Sequence, residues 1–134
     1  MELKDHIRYW IASAEHDLEA AQSLLASGRY DWCLFIGHLV LEKAIKALYV
    51  RDNWNQPAPR SHDLVRLAER TNLALTMEQK LFLDEVNDFN LEVRYPDYRS
   101  DFQKRCTREF TERYFHSIKE TFEWIKSRIE SPTL

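Results

Sequence analysis

One stretch, Tyr30 to Arg51 (YDWCLFIGHLVLEKAIKALYVR), restricts the folds open to this chain more than any other. Trp32, Phe35, Ile36, Leu39, Val40, Ala44, Ala47 and Leu48 recur at helical spacing, and Leu34, Leu41, Ile45 and Tyr49 add a second apolar stripe. A helix that is apolar over most of its circumference must be covered on both sides, which makes it the central member of a helical bundle. Only its later half carries a polar row, Glu42, Lys43 and Lys46, with Glu42 one turn before Lys46 in the favourable order for an ion pair.

The flanking sequence supplies the cover. From Leu3 to about Ala26 the apolar positions Ile7, Ile11, Ala14, Leu18, Ala21 and Leu25 alternate steps of four and three, the seam of a helix packed nearly antiparallel on its neighbour. Ala14, Ala20 and Ala21 are small enough for close approach, Gly28 suits a C-cap, and Asp31 is placed to cap the central helix, so the two form an αα-hairpin. Pro57 and Pro59 deny helix to the next segment, and Ser61 or His62 leads into a short helix from about Asp63 to Arg70. Thr76 and Gln79 read as a capping box opening a helix from Met77 to about Val93, with Phe82, Val86, Phe89 and Val93 as its seam. Pro96 disfavours helix at Tyr95, so a loop is expected to Ser100. A last helix then runs from Asp101 or Phe102 to about Glu130, through Cys106, Phe110, Tyr114, Ile118, Phe122, Ile125 and Ile129, with Ser131 and Pro132 ending it. The expected fold is all-α: one domain over residues 1–134, an up-and-down bundle of four long helices with a short helix in a connection.

Composition narrows the function classes. With 134 residues, 44% hydrophobic and 31% charged, the chain can bury one core, and its apolar runs fall short of the roughly 20 residues of a bilayer span. The start, MELKDHIRYW, has no hydrophobic signal core, so the cytoplasm is the expected compartment. Cys33 and Cys106, isolated and on apolar faces, read as buried structural thiols. A net charge of −3 and a pI near 6.0 exclude binding of nucleic acid by bulk electrostatics, so any anion site must be local. Arg94, Arg99, Lys104, Arg105, Arg108 and Arg113 permit such a patch, diluted by Asp97, Asp101, Glu109 and Glu112. Only two glycines occur, and no Gly-rich phosphate loop is present.

Three groups of residues are candidates for chemistry. Arg94-Tyr95-Pro96-Asp97 offers a guanidinium able to grip a phosphate, an aromatic face for a base and a carboxylate to orient either, though it also suits a helix-terminating turn with a local Arg–Asp pair. His62 is a candidate general base, since an imidazole can exchange protons at neutral pH, but Asp63, its neighbour in sequence, reads as a helix-start residue rather than its partner. Glu42, Lys43 and Lys46 either line a dimer cleft and meet Arg94 there, or form a solvated face. His16, His38 and His116 fall on separate helices, and without HExxH or paired CxxC motifs neither a metal nor another cofactor is expected. Trp54 and Tyr98, in expected loops, are the aromatics whose exposure would point to a partner or nucleotide.

Taken together, WIASAEHDLEAA, YDWCLFIGHLVLEKAIKALYV, Ser61-His62-Asp63-Leu64 and Arg94-Tyr95-Pro96-Asp97, in this order, resemble a HEPN domain over nearly the whole chain. The resemblance implies an all-helical, typically dimeric protein, often encoded beside a minimal nucleotidyltransferase, with which some members form toxin and antitoxin pairs. It also implies nucleotide binding or, in other members, ribonuclease activity. The ribonuclease members carry an Arg followed by His after four to six intervening residues, and this sequence departs from that pattern. Arg8 to His16 and Arg108 to His116 each enclose seven residues, and Arg94 meets no histidine before His116. The expectation is therefore a binding protein in which Arg94, Tyr95, Asp97, Glu42, Lys43 and Lys46 receive a nucleotide or RNA phosphate. One alternative is a metal-independent ribonuclease toxin using Arg94 with His62 or His116. The other is a non-catalytic dimeric interaction module.

Overall fold

A computed structural model describes residues 1–130, the side chains of Pro96 and Arg99 excepted; Ser131 and Pro132, the expected end of the last helix, lie outside the described residues. Helices α1 (Leu3–Ala26) and α2 (Tyr30–Asp52) form the expected hairpin and pack along much of their length. Gly28, at φ +78°, closes α1 as a Schellman turn: its amide donates to the Leu25 carbonyl (3.2 Å) and that of Arg29 to the Leu24 carbonyl (2.8 Å). Ala14 and Ala21 are fully buried, whereas Ala20 is exposed on the far face and takes no part in the close approach. Asp31 does not cap α2, because the N-cap position falls on Arg29; two residues on, in the first turn, its buried carboxylate accepts instead from the Gln103 amide, 3.2 Å away.

Fifteen of the 23 residues of α2 are buried, and it touches every other helix, which makes it the centre of the bundle. Helix α3 (Leu64–Glu69) is capped by Asp63, whose Oδ1 accepts from the Val65 and Arg66 amides. Helix α4 (Met77–Arg94) opens with the Thr76–Gln79 capping box, at 3.1 and 2.8 Å.

Beyond α4 the structure differs from the sequence-based expectation. The segment expected to be a loop is part of helix α5 (Pro96–Arg105), with Pro96 in the first turn, where a missing amide proton costs nothing. Tyr95 alone is extended, as the residue before proline should be. The expected final helix is accordingly two: after a break at Cys106 and Thr107, α6 (Arg108–Glu130) begins, with the Thr107 hydroxyl accepting from the Phe110 amide at 3.2 Å. Among the described residues there are six helices and no strand, and no helix is long and apolar enough to cross a membrane.

The core joins Leu34, Leu41, Ile45 and Leu48 of α2 to Leu83, Val86 and Phe89 of α4 and Ile118, Phe122 and Ile125 of α6. Phe102 anchors α5 by stacking on Phe89, with ring centroids 5.5 Å apart. Gly37 marks the tight crossing of α2 and α6, since a Cβ there would lie 2.8 Å from Ile118 Cδ1. Cys33 and Cys106 are buried free thiols, and burial pushes each up to about 12.

Candidate functional site

The apolar wall of α2 is interrupted by one row of polar side chains, His38, Glu42 and Lys46, each one turn from the next and all buried. Expulsion from water makes each of them depend on a partner. Glu42 serves two at once: Oε2 accepts from the Lys46 ammonium at 2.9 Å, and Oε1 faces His62 Nδ1 at 2.8 Å. Trp10 of α1 covers the ammonium, its ring centroid 5.5 Å from Nζ. His38 is fully buried, and desolvation holds its imidazole below the ordinary histidine range, hence neutral near pH 7. Its Nε2–H donates to the His62 carbonyl at 2.8 Å, which leaves Nδ1 to accept from the Asn90 amide at 3.4 Å. Asn90 Oδ1 in turn accepts from the Arg94 guanidinium at 3.3 Å.

A single hydrogen-bonded path thus runs from exposed Arg94 at the end of α4, through Asn90 and His38, to His62, Glu42 and Lys46. The loop before α3 is fixed to this path from both sides. Asn87 of α4 donates to Asp63 Oδ1 (3.0 Å) while its own Oδ1 accepts from the Leu64 amide (2.9 Å). His62 is therefore positioned by α2 through both its carbonyl and its ring, yet its side chain stays 57% exposed, and Nε2 has no partner among the described residues. An imidazole held by a carboxylate on one nitrogen and open on the other can hydrogen-bond an incoming anion or exchange a proton with it.

The other sequence candidates are placed as follows. Tyr95 and Asp97 are exposed at the junction of α4 and α5, within three residues of Arg94. Lys43 points away from the path, and its ammonium lies 2.6 Å from Asp17 Oδ2 of α1, because it stands one position off the polar row. His116 is exposed on α6 beside Glu120, 3.3 Å away, and does not join the path. Trp54 is 91% exposed at the turn that follows α2, and Tyr98 is exposed on α5 rather than in a loop. Among the described residues no three His, Cys, Asp or Glu side chains are grouped as a metal ion would require. Sequence reasoning passed over His38, Asn87 and Asn90 as site residues. The available signal was the spacing His38, Glu42, Lys46 on one helix and Asn90, Arg94 on another, polar positions at four-residue steps on faces that otherwise read as core.

Comparisons with known proteins agree with this architecture. The structure is similar to the crystal structure of TT1696 from Thermus thermophilus, at a TM-score of 0.77 and 19% identity, covering 91% of this chain and 97% of that one. It is also similar to the crystal structure of ST0689, an archaeal HEPN homologue, at a TM-score of 0.73 and 21% identity, covering 96% of this chain and 99% of that one. No curated protein matches the chain. The family model of the HEPN domain matches residues 7–128, nearly the full length and all six helices in whole or large part. The chain belongs to the HEPN domain family.

Proposed function

We propose that this HEPN protein recognises the phosphate of a nucleotide or RNA at the polar path, as a cytoplasmic homodimer acting with a nucleotidyltransferase partner in a toxin–antitoxin-type system. The observation that supports the reading is the continuity of the path. Arg94 is exposed for a bidentate grip on phosphate, and behind it a neutral, buried His38 and a paired Glu42–Lys46 hold His62 in place. Tyr95, half exposed beside Arg94, supplies a face for a ring. Isothermal titration with AMP, ATP and a short RNA tests it: wild type binds, while Arg94→Gln and His62→Ala each weaken binding by about tenfold, the value of one charge-assisted hydrogen bond. Absence of binding by wild type to all three removes the proposal. Light scattering and co-purification with an adjacent nucleotidyltransferase test the assembly.

The Glu42–His62 contact favours a second reading, metal-independent RNA cleavage with His62 as acid or base and Arg94 orienting the scissile phosphate. RNA cleavage that persists in EDTA and disappears in His62→Ala is its expected signature, and cleavage untouched by that substitution discards it.

A further inference from the structure

The loop that carries His62 borders a second concavity, which the reading above leaves unused. Pro59, Ser61, Arg66, Leu67, Glu69 and Arg70 line an open concavity of about 420 Å³ along α3. Arg66 and Arg70 stand one turn apart and therefore share a face. Among the described residues neither guanidinium has a carboxylate or hydrogen-bond partner, whereas Arg51, Arg105 and Arg108 each pair with a carboxylate. The helix dipole accounts for basic residues near the end of α3, but not for a cavity set between them and Ser61.

The lining has a specific chemistry. Two guanidinium forks suit bidentate contact with phosphate oxygens. The Ser61 hydroxyl oxygen accepts from the Asp63 amide at 3.2 Å, which leaves its proton to donate into the cavity. Glu69 offsets one of the two positive charges of the lining, and exposed Arg60, between Pro59 and Ser61 in the chain, adds another beside it, so the cavity suits an anion. Pro59, half-buried, provides apolar surface for a sugar.

We infer that this cavity is a second phosphate subsite, holding an internal phosphodiester of a single-stranded RNA whose neighbouring phosphate lies at His62 and Arg94. The inference rests on the phosphate-recognition reading and, of its nucleotide and RNA ligands, assigns the larger footprint to single-stranded RNA. Ser61 lines one subsite and His62, the next residue, belongs to the other, so one loop, fixed to α2 and α4, carries a residue of each.

Fluorescence anisotropy with a short oligouridylate lacking terminal phosphates, beside calorimetry with AMP, tests it in the full chain. Arg66→Gln with Arg70→Gln keeps side-chain length and helix propensity, and an unchanged thermal transition checks the fold. The double variant is expected to bind the oligouridylate about tenfold more weakly. Its plot of log affinity against log salt should be shallower by about 0.7, one single-strand phosphate contact. AMP affinity should be unchanged. Equal oligouridylate affinity and slope in wild type and double variant overturn the subsite while leaving the Arg94 site standing. Oligouridylate binding that needs Arg66 and Arg70 but is indifferent to Arg94→Gln supports the subsite and overturns the Arg94 reading. A wild-type chain that binds neither ligand overturns both.

Discussion

Glu42 carries two donors on one carboxylate with almost no water to share the load. Removing it leaves Lys46 buried without its acceptor and His62 without its anchor, so Glu42→Ala should lower stability by about 3 kcal/mol, measured as a urea midpoint shift. Glu42→Met combined with Lys46→Met removes both charges at once and should recover most of that loss, because a buried pair replaced by apolar groups of similar volume is close to neutral. His38 gives the pH dependence. Its folded-state pKa lies below the ordinary histidine value because of burial, so as the pH falls the unfolded chain takes up the proton first. The stability it contributes is complete above about pH 6.5 and is lost as the pH falls below that value towards the folded pKa. Urea melts should weaken across this window with a slope of at most about 1.4 kcal/mol per pH unit, and His38→Gln, which keeps a donor for the His62 carbonyl, should flatten it. At this scale the Glu42–Lys46 pair was readable from sequence because both residues sit on one helix, one turn apart. The Glu42–His62 contact was not, because its partners lie 20 residues apart across a proline-containing loop.

At the scale of helices, end signals decide more than composition does. Gly28 has nothing within 4 Å of where a Cβ would lie, so its role is purely its positive φ. Gly28→Ala should therefore cost about 1 kcal/mol, the strain of a left-handed alanine, read from thermal denaturation. Thr107 separates α5 from α6, and Thr107→Ala should cost about 1 kcal/mol through the lost hydroxyl acceptor for the Phe110 amide. These two ends contrast in how they are written. Gly28 follows an apolar period and announces itself, whereas Thr107 sits inside what reads as an unbroken stripe from Cys106 to Phe110 and Tyr114. Helix α5 was missed for a related reason. PDYRSDFQKR holds only two large hydrophobic residues, Tyr98 and Phe102, too few to establish a period, and Pro96 carries the same letter whether it stops one helix or starts another. Burial of Phe102 against Phe89 is the contact that holds α5 on the bundle, and it is a tertiary fact.

For the molecule as a whole, the two thiols report on cooperative opening. Cys33 and Cys106 are buried and pushed up to about 12, so neither presents a thiolate near neutral pH in the folded state. Labelling by iodoacetamide at neutral pH should be negligible in buffer and rapid in urea, with both sites following the global unfolding transition; fast labelling of either in buffer would reveal a local opening around α5 or the α2 N-terminus. The sequence by itself determined the central place of α2, the α1–α2 hairpin and the all-helical class, because periodicity and end-capping act within a few residues and survive in one dimension. Tertiary structure alone decided that Arg94, Asn90, His38, His62, Glu42 and Lys46 make one path. His38 and Asn90, for instance, are 52 positions apart, and a polar residue on a helix becomes a site or a solvated face only according to what the fold lays over it.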